Sequence, residues 1–115
     1  MGHRHLELGR RGEAMAAAVY EGRGYRVLAR NWRDGRAGEL DLVVTRARLL
    51  VVCEVKTRSS VAFGHPAEAV DWRKQARLRR LAAAFLAQNE VRPAGVRFDV
   101  ASVIAGEVEI IEAAF

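Results

Sequence analysis

The sequence predicts a mixed α/β fold in which helices flank a central β-sheet. Apolar runs with strand-like composition lie at positions 39–44 and 50–56, and an apolar stripe with helical spacing follows at positions 78–86. The expected element order is helix, three strands, helix, two strands, which favours helices packed on a sheet. Periodicity leaves the strand order open.

Local composition predicts the first elements. Residues 8–23 are mostly good helix formers, and Gly24 supplies a stop. Residues 25–30 alternate polar and apolar side chains as a strand does, whereas residues 31–38 have turn composition. We expect a single domain over residues 1–115, with residues 1–8 forming a mobile N-terminal tail.

The second half contains the strongest helix prediction. An apolar stripe with i, i+3, i+4, i+7, i+8 spacing follows Asp71, a suitable N-cap, and comprises Leu78, Leu81, Ala82, Phe85 and Leu86. Residues 57–66 have loop composition. Residues 96–104 and 107–111 are predicted strands joined at Ala105-Gly106.

Ionisable residues interrupt the two apolar strands at 39–44 and 50–56. Strand alternation places Leu40, Leu42 and Val44 on one face and Glu39 and Asp41 on the other. Charged groups among apolar residues are unfavourable unless they are paired, hydrated or bound to metal. These acids therefore call for a structural or functional explanation.

A hairpin through residues 45–48 would bring Asp41, Glu54 and Lys56 together at one end of the sheet, since Glu54 and Lys56 share a strand face. Two adjacent carboxylates suit Mg²⁺ or Mn²⁺, and a neighbouring ammonium can orient water or neutralise a phosphate oxygen. This is the chemistry of phosphodiester hydrolysis. The alternative is a hydrated structural hairpin with Lys56 in a cross-strand ion pair with Asp41 or Glu39.

Asp41 followed by Glu54-Val55-Lys56 resembles the PD-(D/E)XK nuclease motif, with Leu-Asp in place of Pro-Asp. More widely, the chain resembles the YraN-type family of bacterial endonuclease-like proteins, related to archaeal Holliday-junction resolvases. The matching residues are Gly12-Glu13, Gly24-Tyr25, Asn31, Gly38-Glu39-Leu40-Asp41-Leu42, Glu54-Val55-Lys56, Phe63-Gly64, Lys74 and Arg97-Phe98-Asp99. The resemblance implies a restriction-endonuclease-like core, a divalent ion, branched or otherwise unusual DNA as the substrate, and a homodimer.

The resemblance also implies roles for individual residues. Asp41 and Glu54 are expected to ligate the metal, with the Val55 backbone carbonyl as a third oxygen. Lys56 is expected to polarise the attacking water or stabilise transition-state charge. Glu13 is expected to ligate the metal or contact a metal-bound water, although an acid early in a helix can simply complement the helix dipole. Glu39 is the second choice for the acidic ligand.

The second predicted helix carries a basic face that could follow a nucleic-acid backbone, or could simply be solvated. Its members are Arg73, Lys74, Arg77 and Arg80. Trp32 and Trp72 could stack on unpaired bases or pack against apolar residues. Arg97 and Asp99 are expected to form a structural ion pair.

Composition narrows the class of protein. The chain has 19 Lys and Arg against 14 Asp and Glu, a net charge of +5, which favours polyanionic partners. The single cysteine, Cys53, is expected to be buried, and a chain without a disulfide framework fits the cytoplasm. With no signal core and no apolar run of membrane-spanning length, no membrane association is expected.

The resulting prediction is a Mg²⁺-dependent DNA endonuclease of repair or recombination. Two other hypotheses remain: a non-cutting nucleic-acid-binding protein with the same fold, and a structural partner-binding domain. The complete set of Asp41, Glu54 and Lys56 favours the enzyme, because a binding module gains little from keeping all three together.

Overall fold

Two helices and five strands make up the described part of the chain. The computed structural model describes residues 2–58 and 70–115, with side chains from residue 7 onward. The elements are α1 (Gly2–Gly22), β1 (Arg26–Arg33), β2 (Glu39–Arg46), β3 (Leu49–Arg58), α2 (Trp72–Gln88), β4 (Gly95–Ile104) and β5 (Glu107–Ile111). The predicted α/β class and element order are confirmed, and the architecture is compatible with a restriction-endonuclease-like core.

The strands form one mixed sheet in the order β1-β2-β3-β4-β5. β3 and β4 are parallel, while the other neighbouring pairs are antiparallel. A parallel pair needs a long crossover, and the chain between β3 and β4 includes α2. The central position of β3 explains its almost unbroken apolar run, because both of its faces are covered.

The predicted hairpin between β2 and β3 is confirmed. Arg46 pairs with Leu49 across a two-residue turn at Ala47 and Arg48, whose φ angles are 49° and 66°. Positive φ at both central residues gives the turn a twist that matches the flanking strands. The turn fixes the register, which pairs Leu42 with Cys53.

Each face of the sheet has its own apolar core. On one face Ala16, Ala17 and Tyr20 of α1 pack with residues that include Val51 and Cys53, forming the α1-side core. On the other face the predicted stripe of α2 packs in the α2-side core, where Leu78, Leu81, Ala82 and Phe85 are buried. Asp71 caps α2 as predicted, accepting a hydrogen bond from the Lys74 backbone N–H at 2.9 Å.

The predicted side-chain alternation in β2 is wrong at one point. Leu40 packs in the α2-side core, whereas Leu42 and Val44 pack in the α1-side core. β2 pairs with β3 only from Leu42 onward, although Glu39 and Leu40 still pair with β1. The regular alternation therefore breaks at Asp41, where β2 leaves β3.

Several element boundaries also differ from the predictions. α1 begins at Gly2 rather than Leu8, because residues 2–7 contain no proline to prevent helical hydrogen bonding. β1 extends to Arg33 through pairing with Glu39, and β3 extends to Arg58 through pairing with Ile104. The rest of the predicted 57–66 loop, with Phe63-Gly64, lies outside the described residues. The mobility of residues 1–8 remains a prediction.

A buried polar network ties α1 to β4. Both Asp99 oxygens accept hydrogen bonds from Arg97, at 2.8 and 2.9 Å, and the Tyr20 hydroxyl donates to Asp99 at 2.7 Å. The Ala113 backbone N–H donates to Asp99 at 3.0 Å, and Arg97 donates to the Tyr25 hydroxyl at 3.1 Å. The predicted Arg97–Asp99 pair is confirmed, and it lies along one strand.

Cys53 is buried as predicted, with 0% of its surface exposed. Burial, reinforced by the charges of Asp99, Asp41 and Glu54, raises the pKa of its thiol to about 12 despite an opposing hydrogen bond involving Tyr20. A protonated thiol suits its place in the apolar core. Among the described helices, none has the length and apolar composition needed to cross a membrane.

α1 approaches β3 closely at Gly12. A Cβ atom at this position would collide with Thr57 Oγ1, whereas one at Gly9 would meet no described atom within 4 Å. Thr57 Oγ1 is itself buried and has no hydrogen-bond partner among the described residues. The missing side chain of Gly12 therefore sets the distance between the helix and the sheet.

We predict that Gly12→Ala lowers the free energy of unfolding by about 1–3 kcal/mol, as expected for overpacking. Gly9→Ala is the matched control in the same helix and should raise that free energy by about 0.5–1 kcal/mol, because alanine favours helix. Denaturant unfolding measures both variants. Equal effects of the two substitutions would contradict the close approach.

Candidate functional site

The candidate site lies where β2 leaves β3. Asp41 Oδ2 accepts a hydrogen bond from the Val55 backbone N–H at 2.9 Å. A side-chain carboxylate thus takes an N–H that a neighbouring strand would otherwise pair. The pairing of β2 with β3 stops at the Leu42–Cys53 pair and does not include Asp41. A cleft therefore opens beside the part of β3 that follows Cys53.

The cleft has a volume of about 220 Å³. Three acids, two basic residues and two leucines line it: Glu39, Asp41, Glu54, Lys74, Arg77, Leu78 and Leu81. Lys56 contacts the cleft through its ion pair with Glu54. Asp41, Glu54 and Lys56 therefore lie together, in the arrangement expected from the hairpin.

Two ammonium groups contact the same oxygen of Glu54. Lys74 Nζ lies 2.8 Å and Lys56 Nζ 3.5 Å from Glu54 Oε1, and the Glu54 side chain is only 7% exposed. Burial and the charge of Lys74 lower the pKa of Lys56, although Glu54 opposes the shift. Burial also acts to lower the pKa of Lys74, but its contact with Glu54 outweighs this effect and the pKa is raised.

Asp41 is destabilised in its charged form. Burial raises its pKa to about 7, and the neighbouring charges of Glu54, Glu13 and Glu39 contribute. The hydrogen bond from Val55 acts in the opposite direction but does not compensate. A carboxylate with so high a pKa gains strongly from a nearby cation.

Glu13 adds a buried acid from α1. It is 8% exposed, and its Oε2 atom has no hydrogen-bond partner among the described residues. Burial and the charge of Glu39 raise its pKa, while Asn31, Arg30 and Arg10 oppose the shift. Its electrostatic influence on Asp41 places it near the cleft, although it is not among the cleft-lining residues.

Glu39, the second-choice acid, lines the cleft but is already partnered. Its Oε2 atom lies 3.0 Å from Arg33 Nη2, in a cross-strand pair between β2 and β1. The alternative prediction, a cross-strand ion pair of Lys56 with Asp41 or Glu39, is wrong. The ion-pair partner of Lys56 is Glu54, two residues earlier on the same strand.

The acids suit an open divalent-metal site better than a closed cage. In the described residues no three His, Cys, Asp or Glu side chains are grouped as a ready-made ligand set. Mg²⁺ commonly uses one or two carboxylates and keeps several waters, so Asp41 and Glu54 could supply its hard oxygen ligands. The raised pKa of Asp41 means that its anion is destabilised, and Glu13 Oε2 has no hydrogen-bond partner among the described residues. A cation in the cleft would favour the anionic form of both acids.

The basic face of α2 divides into two parts. Lys74 and Arg77 line the cleft, and Arg73 and Arg80 are exposed elsewhere on the helix. The Arg73 guanidinium lies 5.2 Å from the ring centre of Trp72, which is 71% exposed. Trp32 instead packs edge-on against Phe85 at 5.3 Å and is only partly exposed, so Trp72 is the more accessible of the two rings.

Sequence reasoning missed two features of the site. It assigned Lys74 to the basic helix face and did not place its ammonium on Glu54, because that contact depends on how α2 crosses the sheet. It gave no role to Asn31, whose φ of 52° and interaction with Glu13 mark an irregularity in β1 beside Asp41. Two observations could have drawn attention to Asn31: it is one of the residues that match the family pattern, and asparagine tolerates a positive φ.

The fold and the cleft define an α/β protein with an acid and lysine cluster at the point where two strands diverge. Residues 12–103 match the model of "Uncharacterised protein family UPF0102". The chain belongs to this family, which confirms the predicted YraN-type membership.

Curated relatives extend this similarity beyond the short motifs. The chain is 50% identical over 97 residues to a UPF0102 protein of Arthrobacter sp. (strain FB24), covering 84% of this chain and 81% of that protein. It is 54% identical over 96 residues to one of Frankia alni, covering 84% and 79%. A Moorella thermoacetica protein is 46% identical over 114 residues, covering 93% of each chain.

The pKa of Asp41 predicts a pH-dependent stability. The folded-state pKa, about 7, exceeds the unfolded value of about 3.9, so ionisation of Asp41 disfavours the native state. Its contribution to stability is therefore lost as the pH rises from about 4 to 7. Asp41→Asn, which cannot ionise, should gain stability relative to the wild-type protein over this interval.

Denaturant unfolding at pH 5 and pH 8 in the presence of a chelator measures this gain. Glu107→Gln, at an exposed position on β5, is the control and should show no such pH-dependent difference. A stability difference between Asp41→Asn and the wild-type protein that is the same at both pH values would contradict the raised pKa.

Proposed function

We propose that this protein is a divalent-metal-dependent endonuclease that hydrolyses DNA phosphodiester bonds. The observation that carries the proposal is that Asp41 and Glu54 line one cleft, that Lys56 forms an ion pair with Glu54, and that Asp41 is destabilised as an anion. Perturbed acids in a cleft are typical of functional sites rather than of solvated strand faces. The substrate in this proposal is branched or otherwise structured DNA, cut by a homodimer during repair or recombination.

The carboxylates of Asp41 and Glu54, with the backbone carbonyl of Val55, would hold Mg²⁺ or Mn²⁺. When bound, such an ion lowers the pKa of a coordinated water and neutralises phosphate charge. The ammonium of Lys56, whose side chain is 24% exposed, is positioned to stabilise charge on the attacked phosphate. Its partial burial strengthens that interaction, because the local dielectric is lower than that of water. Glu13 supplies further negative charge toward the ion.

Charge and surface chemistry support a nucleic-acid substrate. The net charge of +5 favours a polyanion, and Arg77 extends the cleft with a guanidinium that can pair with phosphate. Exposed arginines continue this surface along α2 beside the accessible ring of Trp72. Phosphate contacts of this kind fix position and carry no base sequence, which agrees with a preference for DNA structure.

A non-cutting nucleic-acid-binding protein is the second candidate. The observation favouring it is that both lysines already neutralise Glu54, so the cluster is partly balanced by its own side chains. Such a protein would bind DNA through the same basic surface. Catalysis and binding can be separated by substituting one lysine.

We predict that Lys56→Ala abolishes most cleavage while leaving DNA binding nearly normal. A group that stabilises charge only in the transition state typically contributes about 10²–10³ in rate, whereas binding loses one contact among several. Cleavage of a four-way junction, a flap and a duplex with Mg²⁺ or Mn²⁺ is compared with gel-shift affinity. Arg92→Ala, at an exposed position between α2 and β4, is the charge-matched control.

The outcomes separate the two candidates. Wild-type cleavage lost in Lys56→Ala and kept in Arg92→Ala supports the endonuclease. Equal cleavage by the wild-type protein and Lys56→Ala would assign the activity to another site or to a contaminant. Inactivity of the pure wild-type protein on every substrate, with DNA binding intact, would support the non-cutting protein.

The basic face of α2 predicts a salt-dependent affinity. Replacing Arg73, Arg77 and Arg80 by alanine should flatten the dependence of log K on log salt by roughly 2–3, because up to three phosphate contacts are lost. A control variant removes the same charge from exposed positions outside α2: Arg11, Arg26 and Arg92. An unchanged slope in the first variant would show that this helix face does not contact DNA.

A further inference from the structure

We propose that Lys74 is an exchangeable counterion of Glu54. Its ammonium holds the Glu54 ligand oxygen in the absence of a divalent ion and is released toward a nucleic-acid phosphate when such an ion takes that oxygen. This inference rests on the proposed function, since it concerns the metal site of the same cleft. It assigns Lys74 a role that neither the helix face nor the family membership gives it.

The contact distances carry the first step. Lys74 Nζ is 2.8 Å from Glu54 Oε1, closer than Lys56 Nζ at 3.5 Å. A hard divalent ion bound to the same carboxylate would add two positive charges beside these ammonium groups. Like charges repel, so moving one lysine away from Glu54 lowers the energy of the ion-bound site.

The surroundings identify Lys74 as the group that moves. Lys56 is two residues from Glu54 on the same strand, whereas Lys74 reaches across from α2. The Lys74 side chain is 31% exposed and lines the open cleft with Arg77. Its backbone is fixed by the Asp71 cap, so the flexible side chain alone can change position.

Release leaves the ammonium at a cleft that already contains the Arg77 guanidinium. The charge removed from Glu54 then becomes available to a phosphate oxygen. Metal binding and nucleic-acid binding should consequently strengthen each other, because coupling between two sites is reciprocal. Lys74 would therefore contact a phosphate only when the metal site is occupied.

Calorimetric titration with Mn²⁺ alone at pH 8 tests the exchange without any catalytic readout. Removal of the competing ammonium in Lys74→Met should tighten Mn²⁺ binding about 5- to 10-fold, the lower end of an ordinary coupling between sites. Lys74→Arg restores a cation at the position and should bind Mn²⁺ with affinity close to that of the wild-type protein. Arg92→Met, which removes an exposed charge, is the control and should also match the wild-type protein.

The second measurement concerns phosphate contact. A four-way DNA junction is titrated with protein over a range of salt concentrations, with and without Ca²⁺ as the metal probe. Because a bound ion itself neutralises phosphate charge, Ca²⁺ should change the slope of log K against log salt in both proteins. The Ca²⁺-induced steepening should be larger in the wild-type protein than in Lys74→Met by about 0.9, the contact of the released lysine.

The two proposals fail in different ways. If the wild-type protein binds Mn²⁺ and Lys74→Met binds it equally or more weakly, the exchange is overturned while the metal site stands. If neither the wild-type protein nor any variant binds Mn²⁺ at millimolar concentration, the metal site and the proposed function are overturned together. A Ca²⁺-induced change of slope that is as large in Lys74→Met as in the wild-type protein would also overturn the exchange.

Discussion

The candidate site depends on one hydrogen bond, from the Val55 backbone N–H to the carboxylate of Asp41. A strand that continued in register would satisfy this N–H with a backbone carbonyl and would leave no gap along this edge of β3. Because a side chain accepts the bond instead, β2 can diverge while the N–H remains satisfied. The divergence opens the cleft, and the same bond holds an acid beside Glu54.

The buried Asp99 and the half-buried Asp41 illustrate opposite outcomes of removing a carboxylate from water. Asp99 is 0% exposed, and Arg97, Tyr20 and the Ala113 backbone N–H donate to its oxygens. Asp41 has neighbouring acids and a pKa raised to about 7. A fully satisfied carboxylate stabilises a fold, whereas one left short of positive charge can bind a cation. This difference separates the structural acid from the candidate ligand more sharply than burial alone.

The sequence alone was sufficient to predict those elements whose local residue pattern is compatible with one type of secondary structure. The apolar stripe and Asp71 identify α2, and the two apolar runs at 39–44 and 50–56 identify the strands of the β2–β3 hairpin. The predicted alternation of side chains in β2 was wrong at Asp41, because a strict two-residue repeat assumes that the strand stays paired with its neighbour. The contact of Lys74 with Glu54 and the approach of Gly12 to Thr57 depend on how helices lie on the sheet. No local periodicity encodes those distances, so only the packed structure reveals them.

The position of Glu13 follows from contacts on either side of it in α1. Gly12 packs against Thr57 at the adjoining position, and Tyr20, about two helical turns later, is held by Asp99. With the helix anchored at both points, Glu13 cannot move to solvent without disturbing either the close approach or the buried network. Rigid packing therefore keeps an incompletely paired acid beside the cleft. The position of Glu13 is imposed by the Gly12–Thr57 contact, which involves no charge, and by the distant Tyr20–Asp99 hydrogen bond. A divalent ion at Asp41 and Glu54 would offset that unfavourable charge, which makes the packing of α1 part of the electrostatics of the site.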